Sequence, residues 1–258
     1  MLLAIDIGNT SIMVGIFSGE DLVYSFRIDT DRTKSPDDYG IILFGKMDEK
    51  DISPSSFSGS ILSCVVTEME EGVAKLVEKY FGHRPIIVGP ETRTGMPIRI
   101  YSPEELGADR IANAVAAYHR FGGSVIVVDL GTATTFDCVS EKGEYLGGAI
   151  VPGIELSTVA LYHGTSKLPK VDPEKPEQVI GKDTVECIQS GLFYGYASMI
   201  DGLCAKLKEE MGSSPEIVMT GGFADSVSEE CACATRVDKD LALHGLRLLY
   251  ELNSQILC

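Results

Sequence analysis

Leu2-Leu3-Ala4-Ile5-Asp6-Ile7-Gly8-Asn9-Thr10 and Val125-Ile126-Val127-Val128-Asp129-Leu130-Gly131-Thr132-Ala133-Thr134-Thr135 are two versions of one pattern. Each is an apolar run closed by an Asp, one aliphatic residue, a Gly and small hydroxyl or amide side chains. Each leads into a second strand-like run (Ile12 to Phe17; Phe136 to Val139), a polar turn (Gly19-Glu20-Asp21; Glu141-Lys142-Gly143-Glu144) and a third strand. Asp6 and Asp129 lie 123 residues apart, and the same offset brings Gly8 onto Gly131 and the Glu20 turn onto Gly143. A hairpin with a bulge Gly and turn-forming Asn and Thr would account for either segment alone. It does not account for the acid repeating with the turn. Two facing copies would put two phosphate-cradling hairpins and two carboxylates across one cleft, a device for holding a metal nucleotide.

Outward from these turns, the pattern predicts strands at 2–7, 12–17 and 22–28, then a helix from Pro36 to Met47 with Ser35 as N-cap. Ser60 to Val66 reads as a buried strand, and Glu68 to Phe81 as a helix with Val73, Leu76, Val77 and Tyr80 on one face. Pro85 to Val88 is a further short strand, giving the order βββαβαβ. From about Ser124 the pattern restarts, with strands at 124–129, 134–139 and 144–150, helices at 153–163 and 184–211, and a strand from Glu216 to Thr220. A helix from Asp238 to Asn253 closes the chain, and Pro103 to Phe121 is the connecting helix, with Ala112, Val115, Ala116 and Tyr118 apolar. No low-complexity linker intervenes, so two closely packed domains are expected, 1–118 and 119–258. This α/β order resembles the duplicated ribonuclease-H-like (actin-like ATPase) architecture of the acetate kinase, sugar kinase, Hsp70 and actin superfamily, with a nucleotide cleft between the two domains.

A net charge of −16 argues against a nucleic-acid-binding surface, which needs a basic face. It also poses a problem for a nucleotide site, which must then rely on backbone N–H groups, bound cations and a few placed Arg or Lys residues. The apolar N-terminal stretch is interrupted by Asp6 and lacks a basic lead-in, and no run reaches the roughly 18 apolar residues of a spanning helix. Neither a secretory nor a membrane segment is expected. The cysteines at 64, 138, 187, 204, 231, 233 and 258 lack pairing logic and read as reduced thiols of a cytoplasmic protein.

Gly221-Gly222, after a strand and before a helix, could let backbone lie flat against an adenine or ribose. A tight strand-to-helix connection has the same form. Gly107-Ala108-Asp109-Arg110 sits where the connecting helix starts, and helix starts favour anions. An adjacent Asp and Arg could serve as base and anion clamp, or Arg110 could simply pair with an acid such as Glu105. Gly107 points to close backbone approach.

Asp6-Ile7-Gly8-Asn9-Thr10, Gly107-Ala108-Asp109-Arg110, Asp129-Leu130-Gly131-Thr132 and Ile180-Gly181-Lys182-Asp183-Thr184 resemble, in order and spacing, the motifs of type III pantothenate kinases. Val151-Pro152-Gly153-Ile154 and Ser166-Lys167-Leu168-Pro169 extend the resemblance over essentially the whole chain, while Ser11-Ile12-Met13 departs from the commoner residues after the first turn. The resemblance implies ATP-dependent phosphorylation of pantothenate, the first step of coenzyme A synthesis. It implies ATP contacts from Asp6, Ile7, Gly8, Asn9, Thr10, Ser11, Ile12, Met13 and Thr132, with Asp6 on the Mg²⁺ side. It implies pantothenate contacts from Tyr101, Gly107, Ala108, Asp109, Arg110 and Thr184, with Asp109 as proton acceptor. Asp129 would ligate a monovalent cation, K⁺ or NH₄⁺, and the protein would be a homodimer whose pantothenate pocket is completed at the subunit interface. Other readings of the same motifs are a non-catalytic, transcription-associated accessory factor and a kinase for another small molecule.

Overall fold

The computed structural model describes residues 1–254, so Cys258 lies outside the described residues. The chain divides into two compact units. Among the described residues, one comprises 1–96, 101–116 and 240–254; the other comprises 97–100 and 117–239.

In the first unit β1 (Leu2–Ile7), β2 (Ser11–Ser18) and β3 (Asp21–Asp29) form the expected meander. Next come α1 (Pro36–Asp48), β4 (Gly59–Cys64), α2 (Thr67–Phe81) and β5 (Ile86–Ile87). Ser35 caps α1 in a reciprocal box with Asp38, and Pro36 opens the first turn. The sheet order is β3-β2-β1-β4-β5, with β1 antiparallel to β2 and parallel to β4. Alternation along β1 sends Leu3, Ile5 and Ile7 into a core with Tyr39, Leu43, Val73 and Val77 of the helices. Leu2, Ala4 and Asp6 face the other way. Tyr80 lies at the rim of that core, 37% exposed, edge-on to Phe44 and donating to Asp37 Oδ1 at 3.0 Å; Phe81 takes the buried place.

The expected 103–121 helix is broken. Pro103–Glu105 forms one 3₁₀ turn, Leu106 is extended, and α3 runs Ala108–Phe121. Gly107 accepts the first helical bond, from Ile111 N at 3.1 Å, and so occupies the N-cap position.

The second unit repeats the layout. β6 (Val125–Leu130), β7 (Ala133–Val139) and β8 (Tyr145–Pro152) are followed by α4 (Ile154–Gly164) and α5 (Thr184–Met211). Then come β9 (Glu216–Gly221), α6 (Ala224–Ser228) and β10 (Arg236–Val237). The order β8-β7-β6-β9-β10 matches that of the first sheet, strand for strand. Ile126, Val128 and Leu130 bury against Ile188, Phe193 and Ile200 of α5. The two hairpins differ in one respect. Ile7 pairs with Ile12 but Leu130 pairs with Thr134, so the second turn is one residue shorter and the 123-residue offset does not hold past it.

α7 (Leu241–Ser254) starts later than expected, because Asp238 N still donates to Met219 O and continues the β9–β10 ladder. It packs on β1, β2 and β4, covering the sheet face opposite α1 and α2. A Cβ on Gly15 of β2 would meet Leu243 at 3.0 Å, and Phe17 meets the ring of His244 edge-on at 5.6 Å. A linear cut between 118 and 119 puts this helix with the second half, whereas its apolar face (Leu243, Leu246, Leu249) is buried with the first unit.

Candidate active site

Asp6 is the penultimate residue of β1, on the face shared with Ala4. It stands between Ser63 of β4 and Met13 of β2, and Met13 stands opposite Arg27 of β3. Ser63, Asp6, Met13 and Arg27 therefore form a row across four strands. Asp6 Oδ1 is sealed from solvent and has no hydrogen-bond partner among the described residues; the same holds for Ser63 Oγ. Burial pushes the Asp6 carboxyl up to about 7, and the negative charge of Asp109 adds to the rise. The nearby Ser63 hydroxyl, not aligned for a full hydrogen bond, and the Arg27 guanidinium pull the other way.

The turn beyond Asp6 is tied at several points. Gly8 N donates to Ser11 O at 3.0 Å, Thr30 N to Thr10 O at 3.0 Å, and Thr30 Oγ1 to Gly8 O at 2.8 Å. A Cβ at Gly8 would sit 3.0 Å from Ser11 O, which is why the tightest point is a glycine. Asn9 and Thr10 are exposed, whereas Ile7 and Ile12 point into the core and can offer a ligand only their backbone.

Asp109 lies in the first turn of α3, and its Oδ1 accepts from Arg110 N at 2.8 Å. Burial holds its carboxyl above the usual range, against the downward pull of the Arg110 N–H and guanidinium. Gly107 fits because a Cβ there would come 2.5 Å from Asp109 Oδ1. The first unit thus holds two desolvated carboxylates close enough for one to raise the other, the usual signature of a proton-handling or cation-binding site. Tyr101 stands fully in solvent.

In the second unit Asp129 is the penultimate residue of β6, between Thr135 and Thr220. Gly221, at φ 93°, presses its backbone onto this carboxylate; a Cβ there would come 2.6 Å from Asp129 Oδ1. Thr132 O accepts from Gly153 N at 3.0 Å, and no side chain fits at Gly153, where a Cβ would meet Thr132 O at 2.3 Å. Thr184 opens α5, with Asp183 capping it by accepting from Glu186 N at 2.9 Å. Thr184 lines a cavity of about 640 Å³ together with Leu161, Leu168, Lys182 and Cys187.

Ser63, Arg27, Thr30 and Arg32 were not singled out by sequence reasoning. They reach the site through strand register and a loop latch, which leave no local motif. Among the described residues no three His, Cys, Asp or Glu side chains gather as a metal site, and no helix is long and apolar enough to cross a membrane.

This pair of like sheets, each ending a central strand in Asp-x-Gly, defines the sugar-kinase and actin-like ATPase fold class. Solved structures agree on the fold. A ROK family glucokinase from Streptomyces griseus, in complex with glucose and AMPPNP, aligns at TM-score 0.55 and 13% identity, over 96% of this chain and 98% of that one. A Campylobacter jejuni protein labelled as a Baf family transcriptional activator aligns at TM-score 0.62 and 22% identity, over 98% and 99%. Both likenesses bear on fold alone. The sequence profile of the type III pantothenate kinase family matches residues 2–206. The type III pantothenate kinase of Moorella thermoacetica is 46% identical over 98% of this chain and all of that one. That of Syntrophus aciditrophicus is 47% identical over the same shares. The chain belongs to the type III pantothenate kinase family.

Proposed function

We propose that this chain transfers the γ-phosphoryl group of ATP to the primary alcohol of pantothenate, opening coenzyme A synthesis in the cytoplasm. Asp109 accepts the alcohol proton. The observation that carries this role is its half-buried carboxylate, held at a helix start and electrostatically joined to Asp6. Phosphoryl transfer passes through a loose transition state, so the base mainly orients the hydroxyl and takes its proton late. A carboxyl raised by burial suits that task better than an ordinary one.

The Asp6–Met13 segment receives the ATP phosphates, and Thr132 is a further ATP contact; Ile7 and Ile12 act through backbone alone. The orphaned Oδ1 of Asp6 fits a role on the Mg²⁺ side, directly or through a bound water. When bound, Mg²⁺ would neutralise phosphate charge that an acidic protein cannot. Asp129, flanked by two threonine hydroxyls and a glycine backbone, offers the hard oxygen donors that K⁺ or NH₄⁺ prefers. Gly107, Ala108, Arg110, Tyr101 and Thr184 bind pantothenate, Arg110 as its anion-binding group. A homodimer accounts for the full exposure of Tyr101 and for the apolar face of α4 (Leu156, Val159, Tyr162).

A coupled ADP-release assay tests the whole reading. Turnover should require pantothenate and Mg²⁺, rise with K⁺ or NH₄⁺, and fall by about a hundredfold or more in Asp109→Asn. No turnover of pantothenate under these conditions overturns the function. Wild-type kcat in Asp109→Asn removes Asp109 from the chemistry.

A further inference from the structure

A site for a polyphosphate inside a protein of charge −16 needs positive charge beyond N–H groups and a divalent ion. Two arginines flank the Asp6 turn. Arg27 occupies the Asp6–Met13 row, and its Nε donates to Met13 Sδ at 3.1 Å. Arg32 lies on the loop after β3, and its Nη2 donates to Asn9 Oδ1 at 2.9 Å. A thioether and an amide oxygen are neutral acceptors, so each contact aims the guanidinium without cancelling its charge.

Five of the other arginines are ion-paired. Arg84, Arg99, Arg120, Arg236 and Arg247 each meet a glutamate or aspartate. Among the described residues neither Arg27 nor Arg32 forms a salt bridge, although Arg27 is near enough to draw the Asp6 carboxyl downward. In a chain with 38 acids against 22 lysines and arginines, two guanidiniums beside one turn have been kept from ion pairs. Each spends one N–H on its observed contact and keeps the rest of its five-donor fork.

We propose that Arg27 and Arg32 are the phosphate-binding cations of the first unit, Arg27 reaching the nucleotide from the Asp6 side of the turn and Arg32 from its Asn9 tip. The inference rests on the reading of that turn as the phosphate site. Arg32 doubles as a positioning residue, since its bond to Asn9 steadies the exposed part of the turn. Charge complementarity of this kind acts on phosphates and leaves the neutral adenosine moiety untouched, while the pantothenate anion is assigned to Arg110 instead.

The test compares Arg27→Ala, Arg32→Ala and the corresponding Lys and Gln variants in the full-length protein. Calorimetry would measure MgADP and adenosine binding, and steady-state kinetics would give KM for ATP and for pantothenate. Each Ala variant should weaken MgADP binding and raise the ATP KM about tenfold. Adenosine affinity and pantothenate KM should stay within about twofold, and Lys should restore part of the loss where Gln does not. Should an Ala variant fail to fold, the Lys and Gln variants carry the same comparison, charge kept against charge removed. Unchanged MgADP binding in charge-removed variants, or equal losses for adenosine and MgADP, overturns the assignment. Wild-type protein that neither binds MgADP nor turns over pantothenate overturns the underlying reading instead.

Discussion

Asp6 shows how a residue proposed for function can oppose the stability of its own fold. An unfolded aspartate titrates at its ordinary value of about 3.8, whereas burial and the Asp109 charge raise the folded carboxyl to about 7. Between those values the native state holds a proton that the unfolded chain releases, so stability from this group falls as pH rises from about 4 to 7. Above 7 both states are ionised and the penalty is constant. Asp6→Asn should therefore be more stable than wild type at pH 8 by on the order of 2–4 kcal/mol, and nearly equal to it at pH 4. Urea melts at both pH values, without nucleotide or Mg²⁺, would measure this; equal stability at pH 8 would show that the carboxylate is not held at a cost. The sequence marked Asp6 and Asp109 as candidates, but their electrostatic union depends on α3 coming back to the end of β1, which no local pattern encodes. Gly107 was legible as a site of close approach. What approaches it is the Asp109 side chain, two residues away.

Elements set by periodicity were legible to within a residue or two: both meanders, the capped α1 and the long α5. What failed were one local break and the features set by contacts distant in sequence. The 3₁₀ turn before α3 follows from Pro103 and the extended Leu106, while β10 exists only by pairing with β9. The home of α7 is the clearest case. Its apolar stripe would suit any sheet face, and what fits it to the first unit is the lack of a side chain at Gly245, where a Cβ would lie 1.9 Å from Ala112 O of α3. Gly245→Ala should cost about 2–3 kcal/mol by forcing the two helices apart. Gly45→Ala, in the last turn of α1 with open space around it, should instead gain about 0.5–1 kcal/mol. Chemical denaturation of both variants would separate a packing constraint from helix propensity, and two stabilising outcomes would deny the α3–α7 contact.

At the scale of the molecule, charge and apolar surface act against each other in the proposed homodimer. Leu156, Val159 and Tyr162 recur at helical spacing along α4 and are between 42% and 47% exposed, and Ile150 on the edge strand β8 is 61% exposed. Burying such residues favours association at roughly 25 cal/mol per Å² of apolar area. Each copy carries −16, however, so long-range repulsion opposes the encounter. The Debye length shrinks from about 30 Å at 0.01 M salt to about 10 Å at 0.1 M, screening the repulsion and leaving the apolar term intact. Dimerisation should therefore tighten as salt rises, the reverse of an interface held by ion pairs. Sedimentation velocity at low micromolar protein, at low and at about 0.2 M salt, would read the shift directly. Val159→Glu should shift the protein to monomer at every salt concentration and lose pantothenate turnover, because the acceptor pocket is proposed to need the partner. It should keep MgADP binding, because the Asp6 turn and its arginines lie within one chain. A dimer that weakens with salt would place ion pairs, not the α4 face, at the interface. A monomeric Val159→Glu with full turnover would put the whole pantothenate site within a single copy.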